Sequence, residues 1–98
     1  MYRVLIVEDS AFVKSALSIA ISQLEDYKIV DTVENSEAAE ILCLRVQYDL
    51  IIMDICTQDG SSGLKSAAAI KKSAPGIKII IATSMADFTF IKKAREVV

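Results

Sequence analysis

Histidine is missing from this 98-residue chain, and cysteine occurs only at Cys43 and Cys56. One cysteine falls in a helical pattern and the other in a loop, and no histidine completes a ligand set. A zinc site is therefore excluded and the thiols read as reduced. Glycine is limited to three residues, none of them directly after the first apolar segment, where the chain reads EDSAFVKS. That rules out a Gly-rich phosphate loop and a GxGxxG dinucleotide turn. The net charge of −2 provides no basic footprint for nucleic acid or anionic lipid. No apolar run approaches membrane-spanning length, and YRVLIVEDS meets Glu8 and Asp9 too soon for a signal peptide. A cytoplasmic protein without membrane contact is expected.

What is present is a composition of 53% hydrophobic and 24% charged residues, enough for one small domain with its own core. Residues 3–7 (RVLIV), 50–53 (LIIM) and 77–83 (IKIIIAT) are short apolar runs without polar alternation, as expected of strands covered on both faces. Residues 28–33 (KIVDTV) alternate more and suit a strand nearer an edge. Helical patterns lie between and after them. Residues 11–24 carry Phe12, Ala16, Ile19, Ala20 and Leu24 at three- and four-residue steps after Ser10, a plausible N-cap. Residues 37–47 follow Ser36, and residues 64–73 follow Gly63 and stop before Pro75-Gly76. Residues 87–97 run from Asp87 to Lys92, Lys93 and Arg95, the charge order that a helix dipole favours. The alternation predicts an α/β fold with a doubly wound parallel sheet, whose ligands gather at the carboxyl ends of its strands.

Those ends carry Glu8 and Asp9 after the first strand, Asp54 after the third, and Thr83 and Ser84 after the fourth. Three carboxylates brought together repel unless a cation offsets them, and an all-oxygen donor set suits Mg2+. Asp54 then has two jobs open to it, ligand and nucleophile, the latter giving an acyl phosphate. Taken singly, Asp9 and Ser10 read as a helix cap, Asp54 as a loop cap and Thr83 as an ordinary strand residue. Their coincidence at three strand ends is what favours a site. A haloacid-dehalogenase-like phosphatase would need a second aspartate two residues after Asp54, where Cys56 stands. GSSG at 60–63 reads as a flexible turn before a helix.

In order and separation, VLIVEDS, DLIIMDI…SSGL and IIIATS resemble the receiver domain of bacterial two-component response regulators across the whole chain. The resemblance implies a flavodoxin-like receiver fold with Asp54 as phosphoacceptor. It also implies Mg2+ held by Glu8, Asp9, Asp54 and the main-chain carbonyl of Cys56. Thr83 would be the switch hydroxyl, and Cys56 and Met85 the positions that tune the lifetime of the phosphate. The donor would be a phosphohistidine on a sensor histidine kinase, since this chain has no histidine of its own. Such a protein is a signalling domain rather than a turnover enzyme.

Departures from the family pattern also carry expectations. Thr57-Gln58 stands where Met-Pro is usual, with one extra residue before Gly63, a loop associated with regulators that carry LuxR-type DNA-binding domains. Ser84 replaces a commoner alanine. The chain stops at Val98, so residues 1–98 read as a receiver domain incomplete at its C-terminus, lacking the fifth strand and fifth helix. The family's phosphoryl-contacting lysine then has no counterpart, Lys92 and Lys93 being read as surface charges. An uncovered fourth-strand edge would favour homo-oligomers through that edge or the fourth helix. The alternative to a phosphoacceptor is a pseudo-receiver or fragment that acts only as a protein-interaction module.

Overall fold

The computed structural model describes residues 1–54 and 61–82. Four strands, β1 (Tyr2–Val7), β2 (Tyr27–Val33), β3 (Leu50–Asp54) and β4 (Lys78–Ala82), alternate with three helices, α1 (Ala11–Ser22), α2 (Ser36–Cys43) and α3 (Ser61–Ser73). All three strand pairings are parallel, in the order β2-β1-β3-β4. β2 is an edge strand, as its alternating pattern predicts. The expected helix over 87–97 lies outside the described residues.

Period-two alternation divides the central strands between two cores. Leu5, Val7, Ile51, Met53 and Ile79 face α2 and α3, where Ala39, Leu64, Ala67 and Ile70 close over them. Val4, Ile6, Leu50 and Ile52 face the other way and meet Ile21 and Leu17 of α1. A sheet buried on both faces has no solvated side, which is why its central strands are almost purely apolar. The layer on the α1 side is thinner, and Ile80, paired with Ile52, is 48% exposed.

The structure corrects three sequence expectations. The periodic set Phe12, Ala16, Ile19, Ala20 and Leu24 is not the core face of α1: all five are exposed, Phe12 at 83%, while Leu17 and Ile21 pack inward. α1 is apolar on most sides, so three- and four-residue spacing fits more than one face. α2 ends at Cys43 rather than 47, and its N-cap is Asn35 instead of Ser36; Asn35 Oδ1 accepts from the Ala38 N–H at 2.7 Å. α3 begins at Ser61, so Ser61, Ser62 and Gly63 belong to its first turn rather than to a flexible loop.

β2 contains an irregularity that no pattern foretold. Val4 pairs with Ile29 but Leu5 pairs with Asp31, leaving Val30 as an extra residue. Such a bulge re-aims the side chains that follow it. Asp31 lies opposite Leu5, on the α2 side, where the Tyr48 hydroxyl donates to its Oδ2 at 2.5 Å. Tyr48 is buried in that core, and both its burial and the Asp31 carboxylate push the phenol's pKa up. At the same end of the sheet, Asp49 accepts the Arg3 N–H at 2.8 Å while the Arg3 Nε donates to the Gln47 carbonyl at 2.9 Å.

Two outcomes follow from this packing. Ile21→Ala is expected to cost about 2–3 kcal/mol in urea denaturation, whereas Phe12→Ser should stay within about 0.5 kcal/mol of wild type. Tyr48→Phe is expected to cost about 1–2 kcal/mol near neutral pH. The folded state holds the phenolic proton more tightly than an ordinary tyrosine of pKa 10.0. The contribution is therefore complete below that pH and is lost as pH rises above it. Stability measured across the alkaline range should fall less steeply in Tyr48→Phe than in wild type.

Candidate functional site

A parallel sheet delivers the carboxyl ends of all its strands to one edge, and the order β2-β1-β3-β4 makes the gap between β1 and β3 its topological switch point. Chain direction reverses its march there: β1 leads to β2 on one side and the chain then crosses to β3 on the other. Val7 pairs with Met53, so the next residues, Glu8 and Asp54, continue neighbouring strands to the same end. Asp54 is the last residue of β3 and pairs with Ala82. The acidic pair and the lone aspartate thus share one edge, as their places in the sequence suggested. Thr83, Ser84, Met85, Cys56, Lys92 and Lys93 lie outside the described residues.

Local structure fixes the acidic pair. Glu8 is 2% exposed, and its N–H donates to the Val33 carbonyl at 2.9 Å, which carries the β1–β2 ladder one step past β1. The Asp9 N–H donates back to Glu8 Oε2 at 3.1 Å, while Asp9 itself is exposed. Ser10 then starts α1: its backbone is extended (φ −82°, ψ 118°) and its Oγ accepts from the Val13 N–H at 3.3 Å. The cap read from the sequence is real. The Val33 carbonyl was invisible there, because a main-chain acceptor leaves no residue signature.

The donor chemistry suits a hard cation. Glu8 and Asp9 offer only oxygen, and no histidine is present to favour a softer metal. No group of three Cys, Asp or Glu side chains that could hold a metal ion occurs among the described residues. β3 ends in Asp54 at the same edge of the sheet. At the opposite edge, a recess of about 360 Å³ is bounded by Cys43, Tyr48, Asp49 and Ile77. Two of its polar groups are engaged: the Tyr48 hydroxyl donates to Asp31, and Asp49 accepts from the Arg3 N–H. Burial raises the pKa of the Cys43 thiol, which keeps it protonated and a poor nucleophile. No helix among the described residues is long and apolar enough to cross a membrane.

Known proteins share this fold. A family model described as "Response regulator receiver domain" matches residues 4–97. The oxygen regulatory protein NreC of Staphylococcus carnosus is 30% identical over 89 residues, which is 91% of this chain and 41% of that protein. The chain thus spans about two fifths of the length of that relative. Among solved structures, a LuxR-family DNA-binding response regulator from Staphylococcus aureus superposes with a TM-score of 0.85 at 27% identity, covering 98% of this chain and 79% of that one. The response regulator domain of Thermotoga maritima CheB gives 0.83 at 28% identity, covering 100% and 74%.

Proposed function

Because the chain belongs to the response regulator receiver domain family of two-component systems, we propose that Asp54 is its phosphoacceptor and that Glu8 and Asp9 hold the Mg2+ ion that the transfer requires. The observation that carries this reading is the pairing of β1 with β3, which ends an acidic pair and a lone aspartate on one edge at the switch point. Residues 1–98 then act as one receiver domain, a signalling module rather than a turnover enzyme.

Transfer begins with phosphohistidine on a sensor kinase. An Asp54 carboxylate oxygen attacks phosphorus in line, the phosphorus–nitrogen bond breaks, and the electron pair stays on the kinase imidazole. Glu8 and Asp9 would hold Mg2+, which would supply positive charge to offset that of the transferring phosphoryl group. The chain's part is positional: Glu8 and Asp9 fix the charge balance at the edge, and the stiff ends of β1 and β3 aim the nucleophile. The family resemblance supports the Cys56 carbonyl as a further ligand, Thr83 as the hydroxyl that reports phosphorylation, and Cys56 and Met85 as positions that set its lifetime. Phosphorylation would then shift the population of a partner-binding face. Transcriptional control as the output is supported by likeness to the DNA-binding regulator of S. aureus.

Intact-mass spectrometry after incubation with acetyl phosphate and Mg2+ tests the proposal. A phosphoryl adduct is expected on the wild-type chain, abolished by Asp54→Ala and by chelation of the metal. An adduct that survives in Asp54→Ala would remove Asp54 from the role. Its absence both from this chain and from one extended toward the length of the relatives would sink the phosphoacceptor reading and leave a protein-interaction module.

A further inference from the structure

We infer that Ser10 is a positioning residue for the cation at the acidic edge, an inference that rests on reading Glu8 and Asp9 as cation ligands. Three residues, Glu8, Asp9 and Ser10, separate β1 from α1, and each is tied by a different contact. The Glu8 N–H is held by the Val33 carbonyl at 2.9 Å, and the Asp9 N–H by Glu8 Oε2 at 3.1 Å. Ser10 takes the Val13 N–H on its side-chain oxygen at 3.3 Å and the Lys14 N–H on its carbonyl at 2.9 Å.

Asp9 is the exposed member of the three, sitting between a buried anchor and a helix cap. The backbone on either side of it sets the direction of its carboxylate. On the β1 side that backbone is fixed by the sheet. On the α1 side it is fixed only as well as the first turn of the helix is. No acidic side chain lies in that first turn, so Ser10 is the polar side chain that meets it. Without the cap oxygen the leading N–H groups lose a partner and the turn frays. Asp9 then gains freedom that cation binding has to remove, which lowers affinity although no ligand atom has been deleted.

Binding of Mn2+, followed by its electron paramagnetic resonance signal on the 98-residue chain, separates the alternatives. Wild type should bind and Asp9→Asn should lose binding. Ser10→Ala should bind roughly fivefold more weakly, and Ser10→Thr, which keeps a cap oxygen, should return to within about twofold of wild type. Ser10→Gly leaves the first turn less frayed than alanine does, so it should lose less affinity than Ser10→Ala and remains readable should the alanine variant fold poorly. Tyr48→Phe weakens the fold at the other end of the sheet and should leave Mn2+ affinity unchanged, which distinguishes local positioning from general loss of stability. Ser10→Ala and Ser10→Gly both binding like wild type, while Asp9→Asn does not, would overturn the role of Ser10 and spare the cation reading. Failure of wild type to bind, or Asp9→Asn binding equally well, would overturn both.

Discussion

A carboxylate kept almost out of water at the buried end of β1 is the constraint around which this domain is arranged. Val4 to Val7 are essentially inaccessible, and Glu8 follows them with 2% of its surface exposed. An ionised group in such a position is costly unless hydrogen bonds and opposite charge meet it. One partner is the Asp9 N–H, so Glu8 organises the very turn that presents its neighbour. The sheet supplies rigidity through two covered faces, and the parallel order supplies convergence by bringing β3 to the same edge as β1. Acid chemistry here is a consequence of where a buried strand ends.

Much of this was legible in the residues, for a physical reason. Strands buried on both faces must be apolar throughout, so RVLIV and LIIM are conspicuous against their polar turns; IKIIIAT reads the same way, but β4 is covered on one face, with Lys78 and Ile80 exposed on the other. The residues that interrupt them are then strand ends by construction, which is how Glu8, Asp9 and Asp54 could be picked out as a group. Ser10 was readable as a cap because a hydroxyl before a helical run has a specific local use, and its bond to the Val13 N–H bears that out.

What escaped the sequence depends on tertiary context. The buried face of α1 could not be chosen because Phe12, Val13, Ala16, Leu17, Ile19, Ala20 and Ile21 offer apolar surface in several directions, and the sheet decides for Leu17 and Ile21. Ser36 and Asn35 are both acceptable caps, so backbone geometry settles the start of α2. GSSG looks like a turn from its composition, yet Ser61 to Gly63 are wound into α3. The Tyr48–Asp31 contact depends on a bulge that carries no glycine or proline to announce it.

That bulge affects how β2 is able to move. Below Val30 the strand is joined to β1 by Tyr2↔Tyr27 and the Tyr2 N–H to Asp26 carbonyl bond; above it, by Val7↔Val33 and the Glu8 N–H to Val33 carbonyl bond. The two segments are out of step by one residue, so no single translation of β2 along β1 satisfies both ladders in a new alignment. An edge strand with a uniform ladder can slide by a pleat and still find partners. This one is keyed like a vernier, with only one setting at which both scales agree, and Glu8 sits at the end of the upper scale.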